Sequence, residues 1–159
     1  MKKNQKGFSL IELLIVVAII LIIAAIAIPN LLRSRMAANE ASAVGSLRTI
    51  NTAEVTFATT YPSNGFAALT ALGGTAPCTS ATSTAACLLD DVLSAAAANK
   101  SGYHFIVANL TGTPVVTYSS TATPVVIGQS GQRGFYSDQS GVIRYTTDGT
   151  APTNASPAL

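Results

Sequence analysis

The sequence predicts an α+β protein: one long N-terminal helix, apolar enough at its start to enter a membrane, packed on a small antiparallel β-sheet. Three observations predict it. Residues 8–28 are apolar except for Ser9 and Glu12. A helical periodicity then carries on to Tyr61. Beyond Tyr103 the pattern changes to short alternating runs rich in β-branched and aromatic residues, divided by Gly, Pro, Asp and Ser. Composition agrees: 48% of the 159 residues are hydrophobic and 10% charged, against about 25% charged in an ordinary soluble domain.

The N-terminus comes first. Lys2, Lys3 and Lys6 precede the apolar run, and the positive-inside rule places that flank in the cytoplasm. Residues 8–28 as helix span roughly 31 Å, about the hydrocarbon thickness of a bilayer. A secretory signal peptide has the same basic flank and apolar core, but its core is shorter, about 7–15 residues. A plain signal anchor is a second reading, with Glu12 near the headgroups. Neither gives Glu12 a task, although an acid inside a membrane segment is a functional residue by default.

A third reading explains the odd residues together. KGFSLIE (residues 6–12), followed by LLIVVAIILIIAAIAIPNLL, closely resembles the class III signal of type IV pilins and related pseudopilins, nearly residue for residue from Lys6 to Leu32. The resemblance rests on a Gly/Phe junction, a glutamate five residues in, and a proline after the apolar core. It implies a leader, residues 1–7, removed by a prepilin peptidase between Gly7 and Phe8, and N-methylation of Phe8. Gly7 suits the cut, because a backbone without Cβ can lie close to catalytic groups. The resemblance further implies that residues 8–28 are the transmembrane and polymerisation part. The Glu12 carboxylate is then expected to pair with the Phe8 ammonium, in the same helix or on a neighbouring subunit. An unmatched charge in an apolar bundle is penalised, so the pair sets axial register more than it adds stability. The implied partners are further copies of the chain in a helical homopolymer, the prepilin peptidase, the inner-membrane assembly machinery, and membrane lipid before assembly. The precursor is expected in the inner membrane with a periplasmic head, and the assembled protein in a surface pilus.

Pro29 removes one backbone donor and clashes with the carbonyl of Ala25. A helix end and a kinked continuation both fit. Continuation is expected, because Met36, Val44, Leu47, Ile50, Phe57 and Tyr61 recur at helical spacing, with Glu40 and Glu54 at the edge of that stripe. Tyr61-Pro62 ends the pattern. The long helix is therefore residues 8–60 and the head residues 61–159. In filaments of the resembled family the segment before the proline is commonly unwound, and residues 21–28 are its counterpart here.

In the head, YPSNGFAALTALGG offers a capped, short apolar helical turn with a Gly-Gly stop, and LLDDVLSAAAANKSG reads as a second short helix with Asp90 and Asp91 in its first turn. YHFIVANL and TPVVTYSS read as strands; TPVVIG reads as an edge strand or an extended loop. RGFYSD and GVIRYTT read as a hairpin around Gln139-Ser140, with Gly141 in a special conformation and the tail after it loose. Three or four antiparallel strands are expected on the helix stripe, the architecture of the pilins. The run from residue 128 to 149 also resembles the ending of one bacterial pilin-like group. Cys78 and Cys87 sit in a segment expected in an oxidising compartment. A bridge between them closes a short loop and adds about 2.7 kcal/mol by chain-entropy arithmetic. Its place differs from the C-terminal bridge of many pilins.

No nucleophile elbow, phosphate loop or Cys-x-x-Cys is present. His104, the single histidine, falls in a strand, and Asp138 and Asp148 read as turn residues rather than calcium ligands. With the three leader lysines aside, charges nearly balance and no basic patch marks a nucleic-acid site. No enzyme, cofactor or metal is therefore expected. The expected function is a structural subunit of a type IV pilus, with adhesion, twitching motility or DNA uptake as outputs. A pseudopilin of a type II secretion system and a membrane-anchored periplasmic binding domain are the alternatives.

Overall fold

The computed structural model describes residues 8–74 and 78–159. The expectations for residues 1–7, Gly7 among them, lie outside the described residues. By internal contacts the chain divides into two compact units, Met1–Arg35 and Met36–Leu159.

Helix α1 (Leu10–Thr60) is unbroken across Pro29, as the resumed periodicity predicts. In the first unit its side chains are exposed except for the half-buried Ala24, and none of its most apolar stretch is buried.

In the second unit α1 presents Ala43, Val44, Leu47, Ile50, Ala53 and Phe57 to the core. The intervals of three and four keep these residues on one face. Met36 and Tyr61 are only half-buried. Opposite them lie Tyr103, Phe105, Ala122 and Phe135 of the sheet, with Leu69 and Leu72 of the short α2 (Leu69–Leu72) and the loop residues Leu89 and Leu93. Each fully buried large side chain here contributes about 1.5–3 kcal/mol of transfer free energy.

Among the described residues the sheet has five antiparallel strands in sequence order: β1 (Ala98–Lys100), β2 (Tyr103–Gly112), β3 (Val115–Pro124), β4 (Gly134–Asp138) and β5 (Arg144–Thr146). That is one more than expected, because the second short helix does not form. Asp90 makes a single turn: its carboxylate accepts the Leu93 N–H at 2.8 Å and its carbonyl the Ser94 N–H at 3.0 Å. The chain then extends, and Ala98 pairs with Phe105 and is fully buried. Sheet pairing overrides the helix propensity of the alanine run. Ser101-Gly102, with φ of 50° and 73°, supplies the two-residue hairpin turn. Lys100 bonds to Asp90 at 2.5 Å, so the two residues expected at opposite ends of a helix face each other across a loop.

The other strands fall close to expectation. Thr123 and Pro124 of TPVVIG complete β3 and the rest is a bent loop, so the segment is neither an edge strand nor extended; Gly141 has the positive φ, 72°. The Asp138 and Asp148 carboxylates each accept a backbone N–H two residues on, as turn residues do. The tail is not loose. Its Pro157 carbonyl accepts the Tyr145 N–H at 3.0 Å, its Leu159 N–H donates to the Ile143 carbonyl at 2.9 Å, and Arg144 Nη1 donates to the Ser156 carbonyl at 2.9 Å. It pairs with the exposed edge of β5, which would otherwise present unpaired backbone groups.

Glu40 and Glu54 do not project at the edge of the stripe: they are 7% and 0% exposed. Glu40 Oε1 accepts the N–H groups of Gln132 and Arg133 at 2.9 and 3.1 Å, and Oε2 accepts from Arg133 Nε at 2.7 Å. Glu54 Oε2 accepts the Ala67 N–H at 2.9 Å. A polar seam also joins helix to sheet. Asn51 Nδ2 donates to Ser137 Oγ at 2.8 Å, and Tyr118 Oη donates to Asn51 Oδ1 at 3.0 Å. Such pairs fix the register of α1 on the sheet, because a slipped helix would bury them unpaired.

Candidate assembly site

The first turn of α1 sets the geometry around Glu12. Ser9 is the flanking residue, and its carbonyl accepts the Leu13 N–H at 3.2 Å. Its own N–H donates to Glu12 Oε2 at 2.9 Å. This is the reciprocal half of a capping box, and a carboxylate there also meets the positive end of the helix dipole. The spacing Ser-x-x-Glu is a signal in the sequence that the search for a charge partner passes over. Among the described residues it is the Ser9 N–H that engages the acid. One carboxylate oxygen is committed to the cap, and the described residues give the other no hydrogen bond.

Phe8 is 79% exposed. From Leu10 to Leu32, Leu and Ile side chains are exposed around the helix rather than along one stripe. A helix apolar on all sides belongs in a bilayer or in the core of an assembly.

Cys78 and Cys87 form a disulfide with Cα atoms 6.0 Å apart. It closes the loop between α2 and the Asp90 turn, whose residues Ala86 and Leu88 hydrogen-bond back to Ala71 and Leu72. His104 Nδ1 lies 3.0 Å from Asn99 Oδ1 on a cross-strand pair, the place of a sheet-surface residue. Among the described residues no group of three or more His, Cys, Asp and Glu side chains is placed to hold a metal ion.

Two further acids matter for the second unit. Burial pushes the Glu54 carboxyl up to about 7, against the lowering effect of the Ala67 N–H, and among the described residues its Oε1 has no hydrogen-bond partner. Burial also pushes Glu40 up, but the Gln132 N–H and the Arg133 side chain and N–H outweigh it and hold Glu40 below its ordinary value.

Comparison with known proteins gives the same direction. The prokaryotic N-terminal methylation motif matches residues 2–28. The chain is 66% identical over 38 residues to the type IV wide pilus major component PilA4 of Thermus thermophilus, covering 24% of this chain and 29% of that one. It is 48% identical over 54 residues to the type IV major pilin protein PilA of Myxococcus xanthus, covering 34% of this chain and 24% of that one. The chain thus matches about a quarter of the length of these relatives. No solved structure matches it.

Proposed function

We propose that this chain, which carries the N-terminal methylation motif of prokaryotic prepilins, is a structural subunit of a type IV pilus. The observation that carries the reading is a helix apolar on all sides, headed by that motif, with one acid in its first turn. Such a surface needs lipid before assembly and other helices after it. A prepilin peptidase would cut between Gly7 and Phe8 and methylate Phe8. The second carboxylate oxygen of Glu12 would then receive the ammonium of a neighbouring Phe8, and residues 21–28, before Pro29, would open as subunits pack. The precursor would sit in the inner membrane, N-terminus cytoplasmic, with residues 61–159 as the periplasmic head. The Cys78–Cys87 bridge suits that oxidising side. Both relatives are pilus proteins by description, which favours the pilus over a type II secretion pseudopilus.

The experiment is electron microscopy of surface filaments in cells lacking only this gene. Loss of filaments, restored by the gene in trans, is the expected result. Normal filaments with a defect in protein secretion would replace the pilus by the pseudopilus.

A further inference from the structure

The outer face of the sheet carries a cleft of about 340 Å³ that the assembly reading does not use. Its floor is the cross-strand pair Ala108 and Ser119. The cross-strand pair Thr121 and Tyr136 continues it on the same face. Its far wall is Thr153 and Asn154 of the tail. That wall is fixed: the Ser156 N–H donates to the Thr153 carbonyl at 3.0 Å, and the Thr153 N–H to Ser156 Oγ at 3.1 Å. Its volume is within the range of small-molecule sites, and its lining residues are mostly polar.

Asn109 makes the rim unusual. It lies where the β2–β3 register shifts and holds a left-handed φ of 55°. Its Nδ2 donates to Ser119 Oγ at 2.8 Å, and among the described residues its Oδ1 is engaged by no donor. A bulge that re-aims a polar side chain into a concavity is a recurrent feature of binding sites. Among the described residues, the Thr121 hydroxyl and the Asn154 amide make no side-chain hydrogen bond. Tyr136 Oη has only a long contact, 3.4 Å, to Asp138 Oδ2.

The lining selects a class of ligand. It contains no Lys or Arg, and Asp138 stands beside Tyr136, so a phosphate or sulfate finds no countercharge. Arg144, the cross-strand neighbour of Tyr136, gives its Nη1 to the Ser156 carbonyl and does not line the cleft. An apolar ligand would bury hydroxyls and amides without partners. A ring that offers C–H groups on one face and hydroxyls at its rim meets both demands. We propose that this cleft binds a neutral sugar ring, with its C–H face on the Tyr136 side chain and its hydroxyls on Thr121, Asn109 Oδ1 and Asn154. This inference does not depend on polymerisation.

The test is saturation-transfer NMR on the full-length chain, in a zwitterionic detergent without a sugar headgroup. The probes are the methyl glycosides of glucose, galactose, mannose and N-acetylglucosamine at millimolar concentration. At least one should take saturation on its ring protons. Thr121→Val and Asn154→Ala should each weaken it about fivefold, the loss of one hydrogen bond, with amide spectra unchanged away from the cleft. Inorganic phosphate should not compete. No transfer to any of the four probes would overturn the proposal. So would undiminished binding by the variant carrying both Thr121→Val and Asn154→Ala, and so would displacement by phosphate.

Discussion

Glu12, Glu40 and Glu54 lie on one helix in three environments, and each gives a different experiment. For Glu12 the proposed partner is the Phe8 ammonium of a neighbouring subunit. Glu12→Ala should insert and be cleaved, because the junction is untouched, yet filament yield should fall sharply. An ammonium buried in the bundle without its carboxylate costs about 3–5 kcal/mol. Blotting for cleaved subunit alongside filament yield checks it, and normal yield would remove Glu12 from the assembly role. Glu40 is held by three donors, so its contribution is present above the ordinary carboxyl value of 4.5 and is lost as pH falls. Glu54 has the opposite sign. Its folded value, about 7, lies above the ordinary 4.5, so the folded state keeps a proton that the unfolded chain has released. That contribution is complete below about pH 4.5 and is lost as the pH climbs through about 7, a change of about 3 kcal/mol. Denaturation followed by the near-UV signal of Tyr103 and Tyr118, both buried in the second unit, should give a falling stability from pH 5 to pH 8. Glu54→Gln keeps an acceptor for the Ala67 N–H and does not titrate, so it should flatten that slope. An unchanged slope would assign the effect elsewhere.

At the scale of elements, the loop from α2 to β1 is held by covalent and polar ties rather than by a helix. The Cys78–Cys87 bridge closes it on one side, and the Asp90–Lys100 pair on the other. Replacing both cysteines by serine should cost about 2–3 kcal/mol, since the loop between them is short. Thiol labelling of native, unreduced protein should be low at both positions; full labelling of either would show that the bridge does not form. The exposed Lys100–Asp90 pair is worth far less, about 0–1 kcal/mol. The Ser101-Gly102 hairpin is less forgiving. Gly102 has φ of 73°, and a Cβ there would lie 2.7 Å from Ser130 Cβ. Gly102→Val should therefore destabilise the second unit by about 2 kcal/mol or more, read as a lowered denaturation midpoint.

For the whole molecule, the proposed processing makes a chemical prediction. Mass spectrometry of the mature protein should find a methylated phenylalanine, Phe8, at the N-terminus, and Gly7→Leu should leave precursor in the membrane. An uncut Met1, or a new terminus near Pro29, would refute it. Much of this protein is legible without a structure, because its strongest signals are local. The apolar run 8–28, the Gly7-Phe8 junction, the Glu12 spacing and the strand alternation after Tyr103 each depend on neighbours in the chain. So does the continuation of α1 past Pro29, which the periodicity announces and the helix bears out. What only tertiary structure decided were the features that depend on distant partners. Residues 88–102 carry helix-forming alanines, but the unpaired edge of β2 draws Ala98–Lys100 into the sheet. Glu40 and Glu54 look like surface acids until Arg133 and Ala67, remote in sequence, supply their donors. The tail looks disordered until the open edge of β5 gives its backbone a partner. In each case local preference amounts to a few tenths of a kcal/mol per residue. Leaving a buried donor or acceptor unpaired costs about 1–3 kcal/mol, and which groups find partners is decided by contacts that only the fold creates.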